Sequence, residues 1–164
     1  MPIQSLLKPE VKELLDKSIA SELYASNLYK HIAAQMQRAG YLGTQKFFEK
    51  ESSEEIEHYY IIRNYINDMG GVAATPQVDA ITDFVGGIGT ALNLAYDTER
   101  TLLMQYQEVY ESVEEEMKDC ITAQFLLKFL EIQVKAVGMY GDLISRFEKA
   151  PMDVLEFDEH IGKL

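Results

Sequence analysis

Glu55 and His58 lie three residues apart inside a long helical pattern that runs from about Thr44 to Met69. On a helix this spacing projects both side chains from one face, a turn apart. The apolar stripe of that segment reads Phe48, Ser52, Glu55, Tyr59, Ile62, Ile66, Met69, in steps of three and four. Glu55 therefore stands where a core residue belongs. A carboxylate there is costly unless a partner neutralises it. A hard or borderline metal cation, held by carboxylate oxygens and an imidazole nitrogen, is one such partner.

One Glu three residues before a His arises readily by chance in so acidic a chain. The signal gains weight because the oddity recurs. A first stripe reads Val11, Leu15, Ser18, Glu22, Ala25, Tyr29, Ile32, Met36, with Glu22 its one charged member. A third reads Leu92, Tyr96, Glu99, Leu103, Tyr106, Tyr110, Val113, again with one carboxylate. A fourth reads Leu126, Phe129, Gln133, Ala136, Tyr140, Ile144, Phe147, with one amide. Four amphipathic helices, each with one ligand-type residue near the middle of its apolar face, imply a single polar cluster inside a bundle.

The elements that position these residues can be bounded from the punctuation. Pro9 suits the first turn of a helix, where its missing N–H costs nothing, and that helix runs to Arg38 before Gly40 and Gly43. Thr44 is a reasonable N-cap for the second helix, which ends at Gly70-Gly71, so the two should pair as an antiparallel hairpin. Gly70 to Gly87 then supplies eighteen residues with Pro76 and four glycines and no sustained periodicity. Connections this long are uncommon inside a compact domain. A helix of about 26 residues is roughly 39 Å long, and eighteen extended residues can cover about 60 Å. The segment can therefore run the length of the bundle and start the third helix at the opposite end.

That third helix is predicted from Gly89 or Thr90 to Met117. Asp119 can cap a fourth that continues to about Ala150 and is closed by Pro151; Gly138 and Gly141 within it suggest a bend or a close backbone contact. The tail, Met152 to Leu164, places Val154, Phe157 and Ile161 on one face and is too short to be stable alone. The predicted architecture is all-α over a single domain, residues 1–164. It is a four-helix bundle with one long crossover between helices two and three, plus a short fifth helix.

A net charge of −12 argues against nucleic acid and anionic membrane as partners. The one cysteine, Cys120, excludes a disulfide framework within the chain and is expected to be a buried thiol. No signal-peptide pattern is seen near Met1, where Lys8, Glu10, Lys12, Glu13 and Asp16 interrupt any apolar run. The longest uncharged run, Phe84 to Tyr96, is too short and too glycine-rich to span a bilayer. These features lead to the expectation of a cytoplasmic protein. Glu114-Glu115-Glu116 read as solvated surface, as does His31.

The chain resembles the ferritins, of the non-haem, cage-forming kind. The residues that carry the resemblance are Glu22-Leu-Tyr-Ala-Ser with Tyr29 seven residues after Glu22, then Glu54-Glu55-x-x-His58, Glu99, and Gln133-Val-Lys-Ala136 followed by Gly141-Asp142. What the resemblance implies is an iron-storage ferroxidase with two irons per subunit. Glu22, Glu55 and His58 would hold one iron, and Glu55 would bridge to a second held by Glu99, with Gln133 nearby or acting through water. Tyr29 would stand beside the centre as a donor of an electron or a hydrogen bond. Fe(II) would be oxidised by dioxygen or peroxide and stored as ferric oxyhydroxide in a homo-oligomer, a cage of twenty-four subunits. The fifth helix would pack at one of its symmetry axes.

Departures from the pattern carry information too. Ile56 stands where haem-binding bacterioferritins carry a methionine, so no haem is expected. Ala136 replaces the His or Glu of more carboxylate-rich relatives, and Ile132 and Lys135 leave the third iron site of some bacterial ferritins without ligands. Counting back from Gln133 by the spacing of animal ferritins places the three-fold channel at Ala123 and Leu126. Neither is acidic, so iron is expected to take another route, with Glu131 one candidate to attract it. Glu54 and Glu57 match inner-surface acids of ferritins and equally suit a solvated face. The other readings are a di-metal oxidoreductase without storage and a purely structural bundle; native mass and Fe(II) oxidation kinetics separate them.

Overall fold

A computed structural model of the chain describes residues 3–149 and 153–164. Pro9 occupies the first turn of α1 (Pro9–Ala39), which ends at Gly40 in the left-handed conformation, φ 87°. Only glycine takes that conformation without strain, and the Gly40 and Tyr41 N–H groups close on the Gln37 and Met36 carbonyls. The chain turns at once into α2 (Leu42–Asp68). α3 spans Ile88–Glu111 and α4 Cys120–Lys149, and α5 is the short Val154–Ile161. The predicted close of the fourth helix at Ala150 and Pro151 lies outside the described residues. No helix among those described is long and apolar enough to cross a membrane.

The crossover is pinned to α1 at both ends. The Ala74 N–H donates to Asp16 at 2.9 Å, and the Val85 N–H donates to Gln35 Oε1 at 2.8 Å. Those two anchors lie about 28 Å apart along α1 at 1.5 Å per residue. The eighteen residues thus traverse the bundle, as their length allowed, and α3 runs parallel to α2. His31, half-buried, joins Gln35 in donating to the Asp83 carbonyl, so it clamps the crossover and is more than a surface residue.

Buried apolar residues form two clusters. One is built on Leu15, Ile19, Ile62, Ile66, Tyr106 and Phe129, the other on Ala25, Tyr29, Phe48, Ala91, Leu92 and Tyr140. Glu22 sits on α1 between Ile19 and Ala25, so the polar residues of the four stripes form a layer between two dry halves. Every member of the first stripe is buried. On α3 the buried face is Ala91, Leu92, Ala95, Glu99, Leu102 and Tyr106, so it turns half a step from the predicted stripe and takes Leu102 in place of Leu103. On α4, Leu143 likewise replaces Ile144.

Four local expectations are corrected. The third helix does not stay α-helical to Met117. Ser112–Glu116 form a π-helical turn, with the Met117 N–H bonded to the Ser112 carbonyl at 3.0 Å. The wider turn keeps Val113 buried while Glu114, Glu115 and Glu116 stay in solvent. Cys120, the first residue of α4, is exposed. Neither α4 glycine is crowded: a Cβ at Gly138 would meet nothing within 4 Å, and one at Gly141 would make ordinary contact with Tyr96 at 3.8 Å. Ala123 and Leu126 are packed in the core, so they line no channel; besides Cys120, the exposed residues at the start of α4 are Ile121, Gln124, Leu127 and Lys128.

The cap of α2 was also misplaced. Thr44 is the third residue of the helix, and the capping carboxylate comes from α5. Asp158 accepts from the Gly43 N–H at 3.0 Å, the Thr44 N–H at 2.7 Å and the Thr44 hydroxyl at 2.7 Å. A Cβ on Gly43 would lie 1.9 Å from the Asp158 carbonyl oxygen, and one on Gly162 2.6 Å from Gly43 Cα. α5 therefore docks on its own subunit, with Phe157 and Ile161 buried and Val154, predicted on that face, exposed. Asp158→Ala is expected to destabilise the fold by about 1–3 kcal/mol, the cost of stranding helix-end donors and a buried hydroxyl. Thermal unfolding checks this, at about 2–4 °C per kcal/mol for a chain of this size.

Candidate metal centre

Glu22, Glu55 and His58 each offer a ligand atom, and these atoms lie within 4.8 Å of one another. The His58 Nδ1 is 3.0 Å from Glu55 Oε2 and 3.5 Å from Glu22 Oε2. The α1–α2 hairpin fixes this spacing through a reciprocal serine pair one turn away. The Ser26 hydroxyl donates to the Ser52 carbonyl and the Ser52 hydroxyl to the Ser26 carbonyl, both at 2.9 Å.

Glu99 faces the same layer from α3. One of its oxygens accepts from the Tyr29 hydroxyl, as one oxygen of Glu22 accepts from the Tyr106 hydroxyl. The second oxygens of Glu22 and Glu99 are buried without a hydrogen-bond partner, and so are both polar atoms of Gln133 on α4. Orphaned groups of this kind are uncommon in folded proteins. Here they are all oxygen or nitrogen donors in one layer, which is the coordination chemistry of a hard cation.

The electrostatics agree. Burial raises the Glu55 carboxyl to about 8, although its hydrogen bond to His58 opposes the rise. Burial and the charge of Glu55 raise Glu99 to about 8 as well. Burial pulls His58 down, but the adjacent carboxylates of Glu22 and Glu55, the latter hydrogen-bonded to it, prevail and raise it to about 10. The metal-free layer thus holds protons at neutral pH that a cation would displace.

Three residues in this layer carry polar contacts that the sequence reading did not assign. Tyr106 and Tyr140, members of the apolar stripes, each donate to a carboxylate. The third is Glu51, one turn before Glu55. It is 6 % exposed, accepts from the Tyr140 hydroxyl at 3.2 Å, and is raised to about 7, first by burial and then by Glu54. Its position at i−4 from Glu55 was the available signal; the stripe passed through Ser52 instead.

A bundle with a long crossover and a carboxylate–histidine layer in its middle defines a class, and comparison supplies the family. The ferritin-like domain model matches residues 12–150, and the chain belongs to the ferritin family. A bacterial non-heme ferritin of Bacteroides fragilis is 25% identical over 162 residues, covering 96% of this chain and 99% of that one. One from Staphylococcus aureus is 28% identical over 140 residues, 85% and 84% of the two chains. Among solved structures, an open pore ferritin from the archaeon Archaeoglobus fulgidus superposes with a TM-score of 0.90 at 21% identity, over 95% of this chain and 96% of that one. The four-helix bundle, its crossover and the family are as the sequence implied.

Proposed function

We propose that this protein stores iron and is itself a ferroxidase. Family membership supports the storage role. The observation that carries the enzymatic reading is the buried Glu22, Glu55 and His58 set, with unpartnered oxygens of Glu22 and Glu99 beside it. In this reading Glu22, Glu55 and His58 hold one Fe(II), and Glu55 with Glu99 holds the second. Gln133 lends a neutral donor at the second position. An amide there lowers the negative charge of the site, so the second iron binds more weakly and passes on to the mineral.

Two neighbouring Fe(II) ions would give up one electron each, and dioxygen would take those two electrons together with two protons from solvent to become hydrogen peroxide. Tyr106 and Tyr29 hold Glu22 and Glu99 in place through their hydroxyls. His58 and the carboxyls of Glu55 and Glu99 surrender their protons as iron arrives, which makes loading pH-dependent. Exposed apolar residues on the outer faces of α3 and α4, Met104, Ile121 and Val134 among them, support assembly into a cage, which we take to have twenty-four subunits.

Aerobic addition of Fe(II) to size-fractionated protein tests the reading. A rapid oxidation phase of two irons per subunit, carried by a particle of cage mass, is expected. Rapid oxidation in a small oligomer would point to a di-metal oxidoreductase without storage. Oxidation no faster than in buffer would remove the ferroxidase role.

A further inference from the structure

Between α1 and α3, level with the metal layer, the bundle is not closed. A groove of about 470 Å³ runs there beside the first part of the crossover, with Ser21 and Tyr24 of α1 on one wall and Thr98, Thr101 and Gln105 of α3 on the other. These residues flank Glu22 and Glu99 in the chain, so the groove opens against the middle of the bundle and not at its ends. Side-chain size accounts for it, because Ala20 and Ser21 are too small to fill the space that faces α3. Leu102, 3 % exposed, also lines the groove. It follows Glu99 by three residues and precedes Tyr106 by four, so on α3 it shares a face with both. Leu102 is thus the partition between the groove and the carboxylate layer.

The chemistry of the lining selects what can use this opening. Its hydroxyls are each spent on the carbonyl four residues back on their own helix: Ser21 on Lys17 at 3.3 Å, Thr98 on Leu94 and Thr101 on Asp97, both at 2.8 Å. With the proton given to the helix, each presents carbon and a neutral lone pair to the groove. The charged lining residues, Asp79 and Asp97, are exposed, and Asp97 lies 4.0 Å from Arg100, so both are already satisfied at the rim. Past that rim a hydrated cation would exchange its waters for uncharged groups, a poor return for its desolvation. A small uncharged molecule has no such shell to lose. We propose that this groove is the port through which dioxygen reaches the centre, with Leu102 as its inner wall, and that cations do not use it. The proposal rests on the ferroxidase reading given above.

Xenon is the first probe, because apolar voids take it up without any metal. In xenon-pressurised crystals of the assembled protein, anomalous diffraction should show a peak in the groove against Leu102. Thr101→Trp, a change at an exposed rim position, should displace it. With Fe(II) saturating, the same variant should raise the KM for dioxygen several-fold and leave kcat near wild type, the pattern of impaired access with intact chemistry. Leu102→Ala, which thins the partition, should shift that KM the other way. Co(II) titration should give both variants the wild-type stoichiometry. An empty groove in wild type, a KM for dioxygen unmoved in both variants, or an altered Co(II) stoichiometry in Thr101→Trp overturns the port and leaves the ferroxidase reading standing. Should the tryptophan prevent assembly, xenon in wild type and the KM of Leu102→Ala decide. Wild-type oxidation no faster than in buffer overturns the ferroxidase reading and the port with it.

Discussion

Glu55→Ala is expected to eliminate rapid Fe(II) oxidation while leaving native mass unchanged. Glu55 is the one carboxylate within reach of His58 and Glu22 on one side and electrostatically joined to Glu99 on the other, so its loss opens both proposed iron positions together. Replacing a group that merely supports a metal ligand costs about 10–100-fold; removing a bridge should cost more than about 100-fold. Stopped-flow absorbance at two Fe(II) per subunit reads the effect. A variant that oxidises this first charge of iron at the wild-type rate would show that the site lies elsewhere. Truncation at this position removes a group whose ionised form is unwelcome in a dry layer, so the metal-free variant should unfold at a temperature no lower than wild type.

Metal-free protein should lose stability as pH rises from about 5 to about 9. Glu55 and Glu99 are raised from 4.5 to about 8, and Glu51 to about 7. The folded chain therefore holds protons that the unfolded chain has already released. Their contribution is fully present below about pH 4.5 and disappears as pH climbs through the raised values. His58, raised from 6.5 to about 10, acts in the same direction, with stability present below 6.5 and lost towards 10. One unit of net shift is about 1.4 kcal/mol, and each such unit should lower the melting temperature by about 3–6 °C. Thermal scans from pH 5 to 9 read the slope. Self-repulsion of an acidic chain also grows with pH, so the discriminating comparison is with saturating Co(II) or Zn(II). A bound cation replaces the protons and should flatten the curve. A slope that persists unchanged with metal present would assign it to the surface charges instead.

How much of this was legible in the sequence follows from the range of each interaction. Glu22, Glu55 and Glu99 stood out because each is a lone charge in an apolar repeat, a pattern local to one helix. The crossover was legible through chain length alone, since an eighteen-residue link without periodicity has to span something. Glu51 was not, because the stripe passes through Ser52, whereas α2 buries both, Ser52 against Ser26 of α1 and Glu51 against Tyr140 of α4, a width that depends on how the helices pack. Small Ala91 and Ala95 on α3 have the same consequence, turning the buried face towards Leu102. The Asp158 cap was beyond reach altogether: nothing near Gly43 or Thr44 announces a carboxylate 114 residues away.

That distance in the chain has a consequence for biosynthesis. Gly43 and Thr44 leave the ribosome more than a hundred residues before Asp158 does, so the turn between α1 and α2 keeps its first amide groups open to water until α5 emerges. The hairpin can zip along its apolar stripes during that time, but its end is locked only when α5 arrives. A nascent or prematurely terminated chain therefore presents a frayed turn, a feature that proteases and chaperones can read, whereas a chain carrying α5 closes it. Arrival of the fifth helix is in this way written into the first loop of the bundle.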